Sequence, residues 1–162
     1  MSDVRDFGAV GDGKHDDTAA VLHAVADGDG VLHFPPGNYL LSKTIELPLA
    51  KVGRVAIDGS GGTAKILMGG AGPAFRIVGS HEKNALPAAF LPGVWQRERL
   101  PTVRDIEIEG VHPEASGILL EGTMQATITG VLLRELHDGI RVLGRCRNLL
   151  ISHCPIYHLR NI

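Results

Sequence analysis

Gly117-Ile118-Leu119-Leu120-Glu121-Gly122 and Gly139-Ile140-Arg141-Val142-Leu143-Gly144 are the two stretches on which the fold turns. Each reads small, apolar, any, apolar, any, glycine, and they lie 22 residues apart. Ala74-Phe75-Arg76-Ile77-Val78-Gly79 has the same form, and a further step of 22 reaches Asn161-Ile162. A second set interleaves: Ile57-Asp58-Gly59, Ile108-Glu109-Gly110, Ile128-Thr129-Gly130 and, more loosely, Ile151-Ser152-His153. A fixed spacing of this length is the mark of a solenoid. Alternation with period 2 inside each unit makes the units short strands, one face inward. A β-sandwich would show similar strands but has no reason to repeat at 22.

The reading is an all-β, single-stranded parallel β-helix. Ile118, Ile140 and Ile162 form one interior column, and Leu120 and Val142 form the next. Gly79, Gly122 and Gly144 take the corners, where positive φ suits glycine. Outward residues then align in two columns, Arg76–Leu119–Arg141 and Glu109–Thr129–Ser152. From Phe75 to Ile118 the step is 43, one period too long by 21. The surplus matches 81–101, a proline-rich stretch without alternation, read as a loop inserted into one coil. It holds the chain's one tryptophan, Trp95, beside Arg97 and Arg99. A tryptophan face suits the apolar side of a sugar, and arginine forks suit carboxylates. Equally, Phe90, Leu91 and Trp95 would serve to cover the coil wall.

Upstream, Asp16 and Asp17 precede Ala19–Ala26, a one-sided helix carrying Val21, Leu22 and Val25 on one face. Either aspartate suits its N-terminus as a cap, which explains the pair without a catalytic role. Val31–Phe34, Tyr39–Leu41 and Thr44–Leu47 read as strands. Across residues 6–47, DFGAVGDGKHDDTAAVLHAV followed by GVLHFPPGNYLLSKTIELP resembles the N-terminal signature of the pectate-lyase superfamily. That family includes rhamnogalacturonase-like and polygalacturonase-like enzymes, mannuronan epimerases and phage tailspikes. The resemblance implies a right-handed parallel β-helix whose first coil is capped by the N-terminal helix. Its function would be that of a carbohydrate-active domain of lyase, hydrolase or epimerase lineage on acidic polysaccharide. Alternatives are a non-catalytic glycan-binding or tailspike-like scaffold, and an inactive truncated remnant. The domain plan is one unit over 1–162: cap and first coil 6–47, coils 48–80, the inserted loop 81–101, and coils 102–162.

For chemistry, the best cluster is His137-Asp138 with Arg141. An arginine would neutralise a uronate carboxylate while a base takes the adjacent carbon proton. The competing reading of Leu136–Gly139 is a plain corner turn. Glu107 and Glu109 alternate on one strand and so face the same way, as a hydrolase pair would, though such pairs are common on solvated walls. The Gly-His-Gly and Arg-Ile-Lys elements of polygalacturonases and the Asp-Pro-His of epimerases do not occur. Candidate glycan contacts are therefore Trp95, Arg97, Arg99, Arg76, Arg141, His137 and Asp138, with no catalytic residue assigned. A net charge of −2 gives no footprint for nucleic acid or an anionic membrane. From residue 97 onward eight arginines meet eight acids. Cys146 and Cys154 lack zinc-ligand spacing and read as small buried thiols; no metal or cofactor is expected. The chain shows neither the apolar core of a signal peptide nor a membrane-length run, so its compartment stays open. Ile162 falls where a strand should begin. A fragment ending mid-coil, able to self-associate through that open coil, is the corresponding expectation.

Overall fold

The computed structural model describes residues 1–84 and 86–160. Its strands stack in three walls, and every strand pairing is parallel. The first wall runs through Ser2–Asp3, Val31–His33, Ala56–Asp58, Thr102–Arg104, Thr127–Thr129 and Leu150–Ser152. The second takes Asp12–Asp16, Gly37–Leu41, Ala64–Met68, Glu107–Gly110, Leu132–Arg134 and Ile156–Tyr157. The third takes Ile45–Pro48, Gly72–Val78, Ala115–Glu121 and Ile140–Leu143. This is the parallel β-helix that the 22-residue spacing demands.

Alternation decides which side chains fill it. In Ala64–Met68, Ala64, Ile66 and Met68 are buried while Lys65 and Leu67 face outward. Ile118 is in register with Phe75 on one side and Ile140 on the other, and Leu120 sits between Ile77 and Val142. The stacked interior is nearly free of solvent from Leu32 to Leu133. Its aromatic centre is Phe34, edge-on to both Tyr39 (5.2 Å) and Phe75 (6.1 Å). In the last described coil, inward Val142, Ile151 and Ile156 are 41–44% exposed. The expected column member Ile162 and its neighbour Asn161 lie outside the described residues.

Three expectations change. Ile108 does not stack with Ile57 and Ile128; it belongs to the second wall, between Ile66 and Leu133. Val103 fills the first-wall position instead. Hence Glu109 aligns with Arg134, while Thr129 and Ser152 align with Arg104. Corners are not a glycine monopoly either: Ser60, Leu100, Asp105, Gln125, Glu135, Asn148, His153 and His158 all have positive φ. Gly79 does not, and is needed for close approach, since a Cβ there would lie 2.4 Å from the Gly122 carbonyl.

The helix spans Thr18–Asp27 and buries Val21 and Ala24, leaving Leu22 exposed. Asp16 and Asp17 divide their work. Asp16 accepts from the Thr18 amide and hydroxyl and from Ser42. Buried Asp17 turns back to accept from the amides of Val10 and Gly11. Together they fasten the glycine-rich entry loop to the helix and to the first coil.

Candidate functional site

The corner Leu136–Gly139 is pinned to the Ala115–Glu121 strand by backbone bonds. The His137 amide donates to Ala115, the Gly117 amide to Asp138, and the Ile118 amide to Gly139. This approach needs glycine: a Cβ on Gly117 would lie 2.3 Å from the Gly139 carbonyl. The corner therefore holds its two polar side chains at the edge of the third wall. There the Asp138 carboxylate meets His137 Nδ1 at 3.2 Å and Arg141 Nε at 3.7 Å. These three, with Glu114, Ser116 and Leu119, line a cleft of about 320 Å³. The residues singled out as a possible corner cluster thus share one concave surface. Asp138 braces both neighbours, and Arg141 stays 53% exposed. With Nδ1 turned to the carboxylate, His137 presents Nε2 as the nitrogen able to take a proton.

Arg76 lies in the same outward column, two strands from Arg141 across Leu119. It is clamped by Glu121 at 2.7 Å and Glu46 at 3.2 Å. A ligand carboxylate would have to compete with both acids.

Residues of the insertion sit elsewhere. Trp95 is 40% exposed and packs tilted on Phe90 at 5.6 Å, and Phe90 stacks on His81 at 4.7 Å. The indole thus packs in part against Phe90 and leaves the rest of its surface to solvent, while Leu91 faces out. Glu98, buried, accepts from the Ser80 amide and hydroxyl and anchors the far end. Arg97 donates to the Lys51 carbonyl at 3.3 Å. Arg99 lines a broad groove of about 590 Å³ with Arg54, Gln125, Thr127 and Asn148.

Glu107 and Glu109 do face the same way, but each is paired with the same two cations. Arg134 donates to both, at 2.8 and 2.7 Å, and Lys65 lies 3.3 and 3.0 Å from them. With both carboxylates engaged by the same two cations, the pair is a wall brace. Cys146 and Cys154 are free thiols, half-buried against the core.

Sequence reading missed one polar strip. Asp3, His33, Asp58, Arg104, Thr129 and Ser152 are in register down the first wall. Coil length varies there, and the insertion falls between Asp58 and Arg104, so no fixed spacing announces it.

Residues 1–72 match the model of the family described as rhamnogalacturonase A/epimerase, pectate lyase-like. The resemblance seen in residues 6–47 is thus found in the N-terminal portion of the chain. The chain is 40% identical over 58 residues to a probable rhamnogalacturonase C of Aspergillus niger, covering 35% of this chain and 13% of that protein. It is 42% identical over 55 residues to a probable glucan endo-1,3-beta-glucosidase of Arthroderma benhamiae, covering 26% of this chain and 6% of that one. The chain therefore spans a small part of either relative. Among solved structures, the A-module of a mannuronan C-5 epimerase of Azotobacter vinelandii superposes with a TM-score of 0.65. That likeness, at 24% identity, covers 95% of this chain and 44% of the module, and it concerns the fold.

Proposed function

We propose that this β-helix domain binds acidic polysaccharide along its third wall, with one uronate unit seated in the His137–Asp138–Arg141 cleft. The observation that carries the reading is the bracing of an imidazole and an exposed guanidinium by one carboxylate in a cleft of sugar size. The names of the relatives, a rhamnogalacturonase, a glucanase and an epimerase, support a polysaccharide as the class of ligand. Arg141 pairs with the uronate carboxylate and lowers the cost of charge developing beside it. His137 Nε2 takes the proton from the carbon next to that carboxylate. The resulting anion then either expels the oxygen at the neighbouring carbon, which takes up a proton from the imidazolium or from water to leave an unsaturated sugar, or takes a proton from water on the opposite face. Arg76 and Leu119 extend the surface for adjoining sugars. Trp95, Arg97 and Arg99 form a second contact zone, with Trp95 as a stacking face and Arg99 and Arg54 as cations.

A panel of uronate polymers tests this by absorbance of unsaturated products, new reducing ends and change of sugar configuration. Turnover lost in Arg141→Ala supports the enzymatic form. The second reading is a non-catalytic glycan-binding wall, favoured by the absent polygalacturonase and epimerase motifs; binding that needs Arg141 but gives no turnover supports it. Neither binding nor turnover contradicts both.

A further inference from the structure

The polar strip on the first wall contains an arrangement unrelated to uronate binding. His33 Nδ1 lies 3.3 Å from Asp58 Oδ1, and His33 Nε2 lies 3.3 Å from Ser60 Oγ. Asp58 is itself fixed, accepting from the Ser60 amide at 3.0 Å and from Arg104 Nε at 2.7 Å. Serine, imidazole and carboxylate are thus linked in the order that activates a serine hydroxyl, through the ring nitrogens that this chemistry uses. Ser60 has φ of 56°, an unusual conformation for a residue with a side chain. Gly61 and Gly62 follow, also at positive φ, and a Cβ on either would meet nothing within 4 Å. The turn is uncrowded at the two glycines and Ser60 is partly exposed, in the manner of the strained turns that display nucleophilic serines.

We propose that Ser60, His33 and Asp58 form a serine acyl-hydrolase site, acting on small acyl esters of polar alcohols such as acetylated sugars. The strip around it is polar throughout, which suits a small acyl group on a hydrophilic alcohol rather than a lipid ester. The Ser60 hydroxyl has two acceptors, the Phe34 carbonyl at 2.8 Å and His33 Nε2. Rotation about Cβ–Oγ turns its proton to the imidazole. Oγ then attacks the acyl carbon while His33 Nε2 takes the proton, and the amide of Gly61, the residue after the nucleophile, would donate to the oxyanion. Collapse breaks the ester C–O bond, and the imidazolium returns its proton to the departing alkoxide. Water, deprotonated by the same nitrogen, cleaves the acyl-serine and restores the hydroxyl. Asp58 is a positioning residue that holds the tautomer.

The test uses the full chain, a fluorophosphonate probe, p-nitrophenyl acetate and an acetylated monosaccharide. Expected results are stoichiometric labelling mapped by mass spectrometry to Ser60, and ester hydrolysis well above the buffer rate. Ser60→Ala and His33→Gln should fall to the buffer background, and Asp58→Asn should lower kcat and change the pH profile. Circular dichroism checks that each variant is folded; labelling of the unmodified chain does not depend on any variant. Absence of labelling with no hydrolysis above buffer, or labelling mapped to another residue, overturns the proposal. Uronate binding is measured separately and neither outcome bears on it.

Discussion

Replacing Ile118 by alanine tests whether the coils stack as described. Ile118 is 1% exposed and lies in register between Phe75 and Ile140. Three carbons leave the interior, at about 0.8 kcal/mol each, or roughly 2.4 kcal/mol in transfer alone. The cavity adds to this, although Ile140 on one side is only partly buried and lets the space relax. The expected loss is about 2.5–4 kcal/mol, within the range for such truncations. A Tm fall of about 5–15 °C follows for a chain of this size. Leu119→Ala, on the same strand but facing out and half-buried, should cost about 1 kcal/mol or less. Urea unfolding followed by far-ultraviolet circular dichroism measures both. If Leu119→Ala proved the costlier of the two, the inward and outward faces would be assigned backwards and the stacking argument would fail.

Gly117→Ala should lower the Tm steeply, by the equivalent of about 3 kcal/mol or more, because its Cβ would press on the Gly139 carbonyl at 2.3 Å; an unchanged melt refutes that contact. Asp16 has its carboxyl held down at about 2, first by the Ser42 hydroxyl and then by that of Thr18. A depressed pKa adds stability that is complete above about pH 4 and disappears as pH falls through about 2. Its exposure limits the effect to about 1 kcal/mol, and Asp16→Asn should flatten that part of an acid titration of stability. Glu109→Gln should leave any turnover of polysaccharide unchanged, since the carboxylate serves Arg134 and Lys65; a lost reaction would return it to the catalytic candidates.

What the sequence disclosed followed from how regular each feature is. Equal spacing made the Ile118–Ile140 register visible, and the 21-residue surplus marked the insertion. Unequal spacing hides the first wall: Ile108, 20 residues before Ile128, has the spacing of a partner, whereas Val103, 25 residues before it, is the true one. Both positions offer a β-branched residue in a short strand, so type alone does not separate them. Side-chain direction gave Arg76, Leu119 and Arg141 one column, but not the clamp of Arg76 between Glu46 and Glu121. The His137–Asp138–Arg141 grouping was legible because all three lie within five residues. Ser60, His33 and Asp58 were not, because His33 and Ser60 stand 27 positions apart and meet only once the chain between them folds into one coil.

The most direct test of the uronate-binding account is amide chemical-shift mapping during titration with a defined oligouronate. The account predicts saturable shifts concentrated at Ser116, Leu119, His137, Asp138 and Arg141, lost in Arg141→Ala. Shifts confined to another wall, or none at saturating ligand, would contradict it.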